Sequence, residues 1–219
     1  MAQLLGGSLG SFSRYEIYVL MLGACAILVA WQPEVNGWLR RISWLRCIGL
    51  CLTLLFLFSG YVFRTIDAVS ASGNVHDQQY QMHRFLVNYW QRPAAANHPG
   101  WVNWRNPNYM LELSGLGSEE ARRPVGHGGT ADAADWAERL ARRHDVDLAL
   151  LYDNAEPKPP PGWQPVARLR LRERVITAVG PTVTFYATRP EAVAPIRAAL
   201  AEFGPTLPHG AILEPVGGR

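Results

Sequence analysis

Two apolar segments that contain no charged residue constrain this chain more than any other feature. Residues 17–33 and residues 47–63 each lack Asp, Glu, Lys and Arg. A helix of that length spans roughly 25 Å, close to the ~30 Å hydrocarbon core of a bilayer. Aromatic residues near the ends of both segments suit the membrane–water interface. The pattern predicts a transmembrane hairpin in residues 1–64, with helices at about 15–33 and 42–63.

Two other interpretations of these segments remain open. They could be a pair of core helices in a protein without membrane spans. Alternatively, residues 22–25 (Leu-Gly-Ala-Cys) loosely match a lipoprotein cleavage box, although the apolar run continues past Cys25.

Arginine placement predicts the orientation of such a hairpin. Arg40, Arg41 and Arg46 lie in or beside the connection, whereas the flanks offer only Arg14 and Arg64. Cytoplasmic loops carry the excess of positive charge. We therefore expect the connection in the cytoplasm and the C-terminal part on the periplasmic side. A count of twenty arginines against one lysine favours a bacterial source and hence a bacterial inner membrane.

The remaining residues have the composition of an ordinary folded domain. Residues 64–219 hold 17 basic and 16 acidic side chains, which leaves no electrostatic surface for nucleic acid. Helical periodicity is clear over residues 74–90, with Asn74 as the N-cap. Two further helices are predicted, one around residue 136 and one around residue 196. Strand patterns cover residues 101–104, 109–113, 146–152, 166–172, 174–179 and 182–188. Residues 65–219 are therefore predicted to form a small extracytoplasmic α/β domain, and the fold class is mixed α/β.

Motifs that would carry catalysis or bind a metal are missing from the sequence. The histidines and cysteines lack metal-ligand spacing, and no pair of carboxylates is placed for general acid–base chemistry. Gly115-x-Gly117 follows a predicted strand but lacks the third small residue of a dinucleotide loop. We assign no catalytic residue, no metal ligand and no cofactor.

One candidate binding surface is an arginine stripe. Arg168, Arg170 and Arg172 alternate with apolar residues, so that in a strand they project to one side. The simplest interpretation is a solvated strand face. The functional interpretation is a cationic surface for anionic lipid headgroups or a lipid-linked phosphate.

A second candidate surface combines tryptophans with polar side chains. Trp101 and Trp104 flank a stretch that also contains Asn97 and His98. Aromatic rings beside amides suit a sugar or headgroup site, but they also suit a wet interface between domains. Together with the arginine stripe, these four residues complete the set of predicted binding residues.

Several segments resemble a known family. Residues 74–86 (NVHDQQYQMHRFL), 101–109 (WVNWRNPNY) and 113–120 (LSGLGSEE) resemble the C-terminal part of bacterial GT-C-type membrane glycosyltransferase-like proteins. The resemblance implies that the last transmembrane helices lead into an extracytoplasmic domain, and that a complete enzyme would use a polyprenyl-phosphate sugar. The acidic loops of such enzymes have no counterpart here, and Asn97-His98-Pro99-Gly100 stands where an acidic turn is expected.

Two functions follow as expectations. The first is a non-catalytic accessory module of a cell-envelope glycosyltransferase system, which by itself transfers no sugar. The second is a structural subunit that packs on a larger membrane complex. Both imply the lipid bilayer as a partner, with other membrane subunits or a lipid-linked sugar as further partners.

Overall fold

The computed structural model describes residues 16–39, 43–57, 59–98, 100–126 and 132–217. The chain divides into two compact units, Met1–Val69 and Ser70–Arg219.

Short helices make up the described part of the first unit. They are α1 (Glu16–Ala30), α2 (Gln32–Leu39), α3 (Trp44–Leu57) and α4 (Ser59–Asn74), the last of which extends into the second unit. Their apolar side chains that can be described are largely exposed.

The prediction of a transmembrane hairpin is wrong. Of the helices that the structure describes, none combines the length and the hydropathy that crossing a bilayer requires. The two most apolar ones, α1 and α3, have 15 and 14 residues and span only roughly 21–23 Å. In the first apolar segment the sequence pattern overestimated the length of the helix, because α1 ends at Ala30.

Three further expectations are wrong for the same reason. We expected an integral membrane protein, and on that basis an accessory module of a glycosyltransferase system or a subunit of a membrane complex. We also expected a location in the inner membrane with a periplasmic domain. None of these has support among the described helices. The arginines at positions 14, 40 and 41, on which the orientation depended, lie outside the described residues.

Helical structure continues from α4 to Trp90. Val75–Tyr80 and Leu86–Trp90 are π-helical, and α5 (Gln81–Phe85) lies between them. The predicted N-cap at Asn74 is wrong, because Asn74 has helical backbone angles and makes no capping bond. Its carboxamide instead donates to the Arg174 carbonyl and accepts from the Ile176 amide, which holds the 174–176 loop against this helix.

The described part of the second unit contains one mixed six-stranded sheet. Its strands are β1 (Ala94–Ala96), β2 (Met110–Glu112), β3 (Leu148–Tyr152), β4 (Gln164–Leu171), β5 (Thr182–Ala187) and β6 (Ala211–Pro215). Their order is β2-β1-β3-β5-β4-β6. The first three strands are parallel, and β5, β4 and β6 continue antiparallel. The mixed α/β class of this domain therefore agrees with the prediction.

Two apolar clusters hold the sheet to its helices. On one face, Leu148 and Leu150 pack with α5 and with α8 (Val193–Phe203). On the other face, Ala149 and Leu151 pack with residues of α6 (Glu119–Gly126) and α7 (Asp132–Arg143). All five side chains of β3 are buried because both faces of that strand are covered.

Two of the predicted strands differ from the structure. Residues 101–104 are predicted as a strand, but Trp101–Asn103 is a 3₁₀ helix. Residues 174–179 form a loop. The patterns also miss two short strands, β1 and β6.

Candidate functional site

The candidate site begins where the parallel strands β1 and β3 end. Strand β1 lies between β2 and β3 in the sheet, and the chain that leaves β1 continues to β2. In open α/β sheets, ligands bind outside the carboxyl ends of strands at such a reversal of strand order. The segment that follows β1 carries Asn97, His98, Gly100, Trp101 and Trp104.

Asn97 connects the ends of the two strands. Its Oδ1 accepts from the Tyr152 amide at 3.0 Å, and its Nδ2 donates to the Tyr152 carbonyl at 3.4 Å. The residue is 2% exposed. Because these bonds occupy its carboxamide, Asn97 positions the segment and does not itself face a ligand.

His98 lies half-buried behind the turn. Its ring meets that of Tyr152 edge-on, with the centroids 5.9 Å apart. Burial lowers the pKa of His98, against a weaker opposing effect of the Glu112 carboxylate. The imidazole is therefore neutral at pH 7 and offers one hydrogen-bond donor and one acceptor.

An exposed aromatic cluster lines a cavity next to this turn. The rings of Trp101 and Trp104 are 6.5 Å apart at 70°, and that of Tyr80 stands edge-on to Trp101 at 6.1 Å. Trp101 and Trp104 are 41% and 57% exposed. With Gly100 they line a cavity of about 340 Å³, at the lower end of the roughly 300–1,000 Å³ that is usual for small-molecule sites. We call Tyr80, Gly100, Trp101 and Trp104 the aromatic site.

Two polar side chains border the aromatic site at Gly100. A Cβ added there would lie 3.1 Å from Gln79 Oε1 and 3.3 Å from His98 Nδ1. Gly100 has a φ of +20°, in the range that favours glycine. The missing side chain therefore lets these two polar groups pack directly against Gly100, which lines the cavity.

Buried behind this border is the Tyr152 hydroxyl. Tyr152 is 2% exposed, and desolvation raises its pKa well above the usual value. The hydroxyl approaches the Gln79 side chain but makes no hydrogen bond of normal geometry. A buried hydroxyl without a well-formed hydrogen bond costs free energy.

Sequence reasoning misses Gln79 and Tyr80, because they reach the site only through the fold, and it names Gly100 only as part of the turn before Trp101. The sequence did contain one indication of Tyr80, because His76, Tyr80 and His83 recur at helical spacing. Their rings stack along one face of the helical stretch, with centroids 5.5 Å and 6.2 Å apart.

The arginine stripe lies elsewhere on the sheet. Arg168 and Arg170 are exposed on β4, and Arg172 follows the strand end. Arg170 is paired with Glu214 at 2.6 Å, which partly neutralises the stripe. Because two strands separate β4 from β1, roughly 14 Å lies between the stripe's strand and the strand that precedes the aromatic site.

We also searched the described ranges for a possible metal site. Within them, no three His, Cys, Asp or Glu side chains are placed to hold an ion.

Comparison with known proteins identifies a family but not an activity. No curated protein and no solved structure matches the chain, and nothing found connects it with GT-C glycosyltransferases. Residues 71–186 match a family described as a domain of unknown function, DUF8728. This match takes in the helical stretch, the aromatic site and strands β1 to β5 up to Tyr186. Since it covers more than half of the 219 residues, the chain belongs to the DUF8728 family.

Proposed function

We propose that the domain formed by residues 70–219 is a saccharide-binding module, and that the aromatic site is its binding surface. The observation that supports this most is the pair of exposed indole rings, Trp101 and Trp104, lining one cavity. Large aromatic rings are costly to leave in water, and an exposed aromatic cluster in a folded domain commonly marks a binding surface.

The chemistry of the aromatic site suits a sugar ring. The faces of aromatic rings carry partial negative charge, and the C–H groups on one face of a pyranose are weakly positive. A pyranose can therefore pack on an indole while its hydroxyls point sideways. Gln79 and His98 supply hydrogen-bonding groups at that border.

Isothermal titration calorimetry tests this proposal on the whole chain. The probes are maltohexaose, cellohexaose and chitohexaose. We expect at least one of them to bind, and we expect Trp101→Ala and Trp104→Ala each to weaken that binding about tenfold or more, because base or ring stacking on one aromatic side chain contributes on the order of 1–3 kcal/mol.

Tyr109→Ala is the matched control. Tyr109 is 45% exposed and its ring stacks on His144. It precedes β2 and so lies at the amino-terminal end of the parallel strands, whereas the aromatic site follows the carboxyl end of β1. Its loss should leave binding unchanged. Failure of all three saccharides to bind, or equal binding by the parent and both tryptophan variants, would contradict the proposal.

A further inference from the structure

A groove runs between α8 and strand β6, which three strands of the sheet separate from β1. It consists of two adjoining cavities of about 350 and 320 Å³. Leu200 and Ala201 of α8 and Leu213 of β6 line both cavities, so the two form one continuous depression. Ala201 is exposed, and Leu213 is partly buried against the apolar core. We call this depression the edge groove.

Strand β6 directs backbone groups away from the rest of the sheet along this groove. Among the described strands it pairs with β4 alone, and the pairing is antiparallel. Val216 donates its amide to β4, and the Gly210 carbonyl accepts from the amide that follows β4. Because backbone groups alternate in direction along a strand, those of Ala211, Leu213 and Pro215 point away from β4.

The outward groups of β6 offer more acceptors than donors. The carbonyls of Ala211, Leu213 and Pro215 can each accept a hydrogen bond, whereas only the Leu213 amide can donate one. The Ala211 amide already donates to the Pro208 carbonyl, and proline has no N–H. An extended peptide that lies antiparallel to β6 can therefore donate three amides and accept one, which is the pairing by which peptides add to a sheet edge.

Both ends of the edge groove are cationic. Arg172 lines the cavity at the Ala211 end, and Arg197 lines the cavity at the Pro215 end. Neither cavity is lined by Asp or Glu among the described residues. Arg197 donates to the Gly217 carbonyl, a bond that leaves its charge without a neutralising partner. Carboxylates at the two ends of a bound segment would meet opposite charge there.

We infer that the edge groove binds an extended acidic peptide segment, which adds to β6 as an antiparallel strand. Residues of the peptide opposite Ala211, Leu213 and Pro215 place their side chains on the same face as these three, and therefore in the groove. The groove is apolar between its two arginines, so the segment carries apolar side chains at these positions and a carboxylate beyond them at each end. The inference is independent of the proposed saccharide site.

A second copy of the chain would fit the edge groove less well than a peptide. Two antiparallel β6 strands centred on Leu213 could exchange only the bonds of that residue, because Pro215 has no N–H and the Ala211 amide is occupied. The same arrangement would place the Arg172 end of one groove beside the Arg197 end of the other. Like charges would then face each other across the interface.

The test uses a blocked nine-residue peptide, Ac-Glu-Thr-Val-Thr-Val-Thr-Val-Thr-Glu-amide, and isothermal titration calorimetry on the full chain. Its valines and glutamates alternate with threonines, so in a strand they share one face. Two further peptides carry leucine or phenylalanine in place of the valines. We expect at least one of the three to bind, and the counterpart with lysine at both ends to bind at least tenfold more weakly.

N-methylated peptides test the addition of a strand. The amides of the groove-facing residues are those that would donate to β6, so N-methylation of the three valines, or of the residues in their place, should abolish binding. N-methylation of three threonines in the same peptide is the matched control. It blocks amides that point away from β6 and should leave binding unchanged.

Variants of the chain locate the binding. Ala201→Trp fills the edge groove and should abolish binding, whereas Ala198→Trp adds the same ring at an exposed position of α8 that lines neither cavity. Arg172→Gln and Arg197→Gln should each weaken binding of the glutamate peptide about two- to fivefold, the usual effect of an exposed charge pair. Near-ultraviolet circular dichroism shows which variants keep the parent fold. Should Ala201→Trp lose it, the arginine variants and the N-methylated peptides decide.

Four results would overturn the inference. They are failure of all three acidic peptides to bind, equal binding of the two N-methylated forms, equal binding by Ala201→Trp and Ala198→Trp, and binding that neither arginine variant weakens. A dimer of the parent chain that Ala201→Trp dissociates would assign the groove to a second copy instead. The saccharide titrations have no bearing on this result, so the two proposals stand or fall separately.

Discussion

Glu112 shows how one buried carboxylate shapes the loop beside the candidate site. It accepts hydrogen bonds from the Ser114 amide at 2.6 Å and the Gly117 amide at 2.9 Å, and also from the Ser114 hydroxyl. Burial by itself would raise the pKa of Glu112, but these bonds outweigh burial, and the pKa lies below its usual value. The charged form thus holds the Gly115-x-Gly117 turn, which needs no nucleotide to explain it.

Replacing this carboxylate should therefore destabilise the domain. We expect Glu112→Gln to lower the free energy of unfolding at pH 7 by about 1–3 kcal/mol, since buried amides lose a charged acceptor. Urea titrations of parent and variant measure the difference.

The difference in unfolding free energy between the parent and Glu112→Gln should also depend on pH. Because the pKa of Glu112 is lower in the folded state, its contribution is complete above the unfolded-state pKa of about 4.3 and is lost as the pH falls through the folded-state pKa. The difference between parent and variant should shrink as the pH is lowered below about 4.3. Glu214→Gln, which removes an exposed carboxylate paired with Arg170, should cost only about 0–1 kcal/mol. An equal loss in both variants would contradict the role of Glu112.

Between elements, the Gly115 turn lies close against the backbone of α6. A Cβ on Gly115 would lie 2.8 Å from the Arg122 Cα, and the residue has a φ of +79°. Both the clash and the backbone angle require glycine, because the neighbouring atom is backbone and cannot move aside. The turn therefore determines where α6 begins relative to β2.

Gly115→Ala should consequently lower the free energy of unfolding by about 1–3 kcal/mol or more, the usual cost of a strained left-handed residue. Gly73→Ala provides the comparison, since Gly73 lies within a helical stretch and a Cβ there meets nothing within 4 Å. That change should stabilise the chain by roughly 0.5–1 kcal/mol, because alanine loses less backbone entropy than glycine. Chemical denaturation of both variants checks the opposite signs. Two equal effects would show that the close approach is unimportant.

At the scale of the whole molecule, the apolar core belongs to the second unit. Both buried clusters and all the described strands lie within Ser70–Arg219. The largest buried side chains pack there as interlocking rings, with Phe85 at 5.4 Å from Phe185 and 5.2 Å from Phe203. A core of this kind supplies most of the stability of a domain.

We therefore expect a fragment of residues 70–219 to fold by itself. It should unfold in one cooperative transition, because its strands share a single sheet. Amide hydrogen exchange should give β3 and β5 the same protection in the fragment as in the full chain. A fragment without slowly exchanging amides in these strands would show that the core needs residues 1–69.

Local sequence patterns determined much of the second unit. The apolar spacing of Met82, Phe85 and Leu86 predicts the buried side of the helical stretch, and all three are buried. Continuous apolar residues predict β3, and alternation predicts β4 with its arginines exposed. Such predictions succeed because a helix or strand of sufficient length repeats its own geometry, and burial selects residues at that period.

The tertiary structure decided the remainder. Three alanines become strand β1 only because β2 and β3 pair with them. The apolar N-terminal segments met the composition of membrane spans, but helix length depends on where each helix ends, which composition does not specify. Of the aromatic site and its polar border, the sequence suggested Trp101, Trp104 and His98, which lie in the segment that follows β1. Gln79 and Tyr80 join them from a different element, because contacts between elements follow from chain packing and have no period in the sequence.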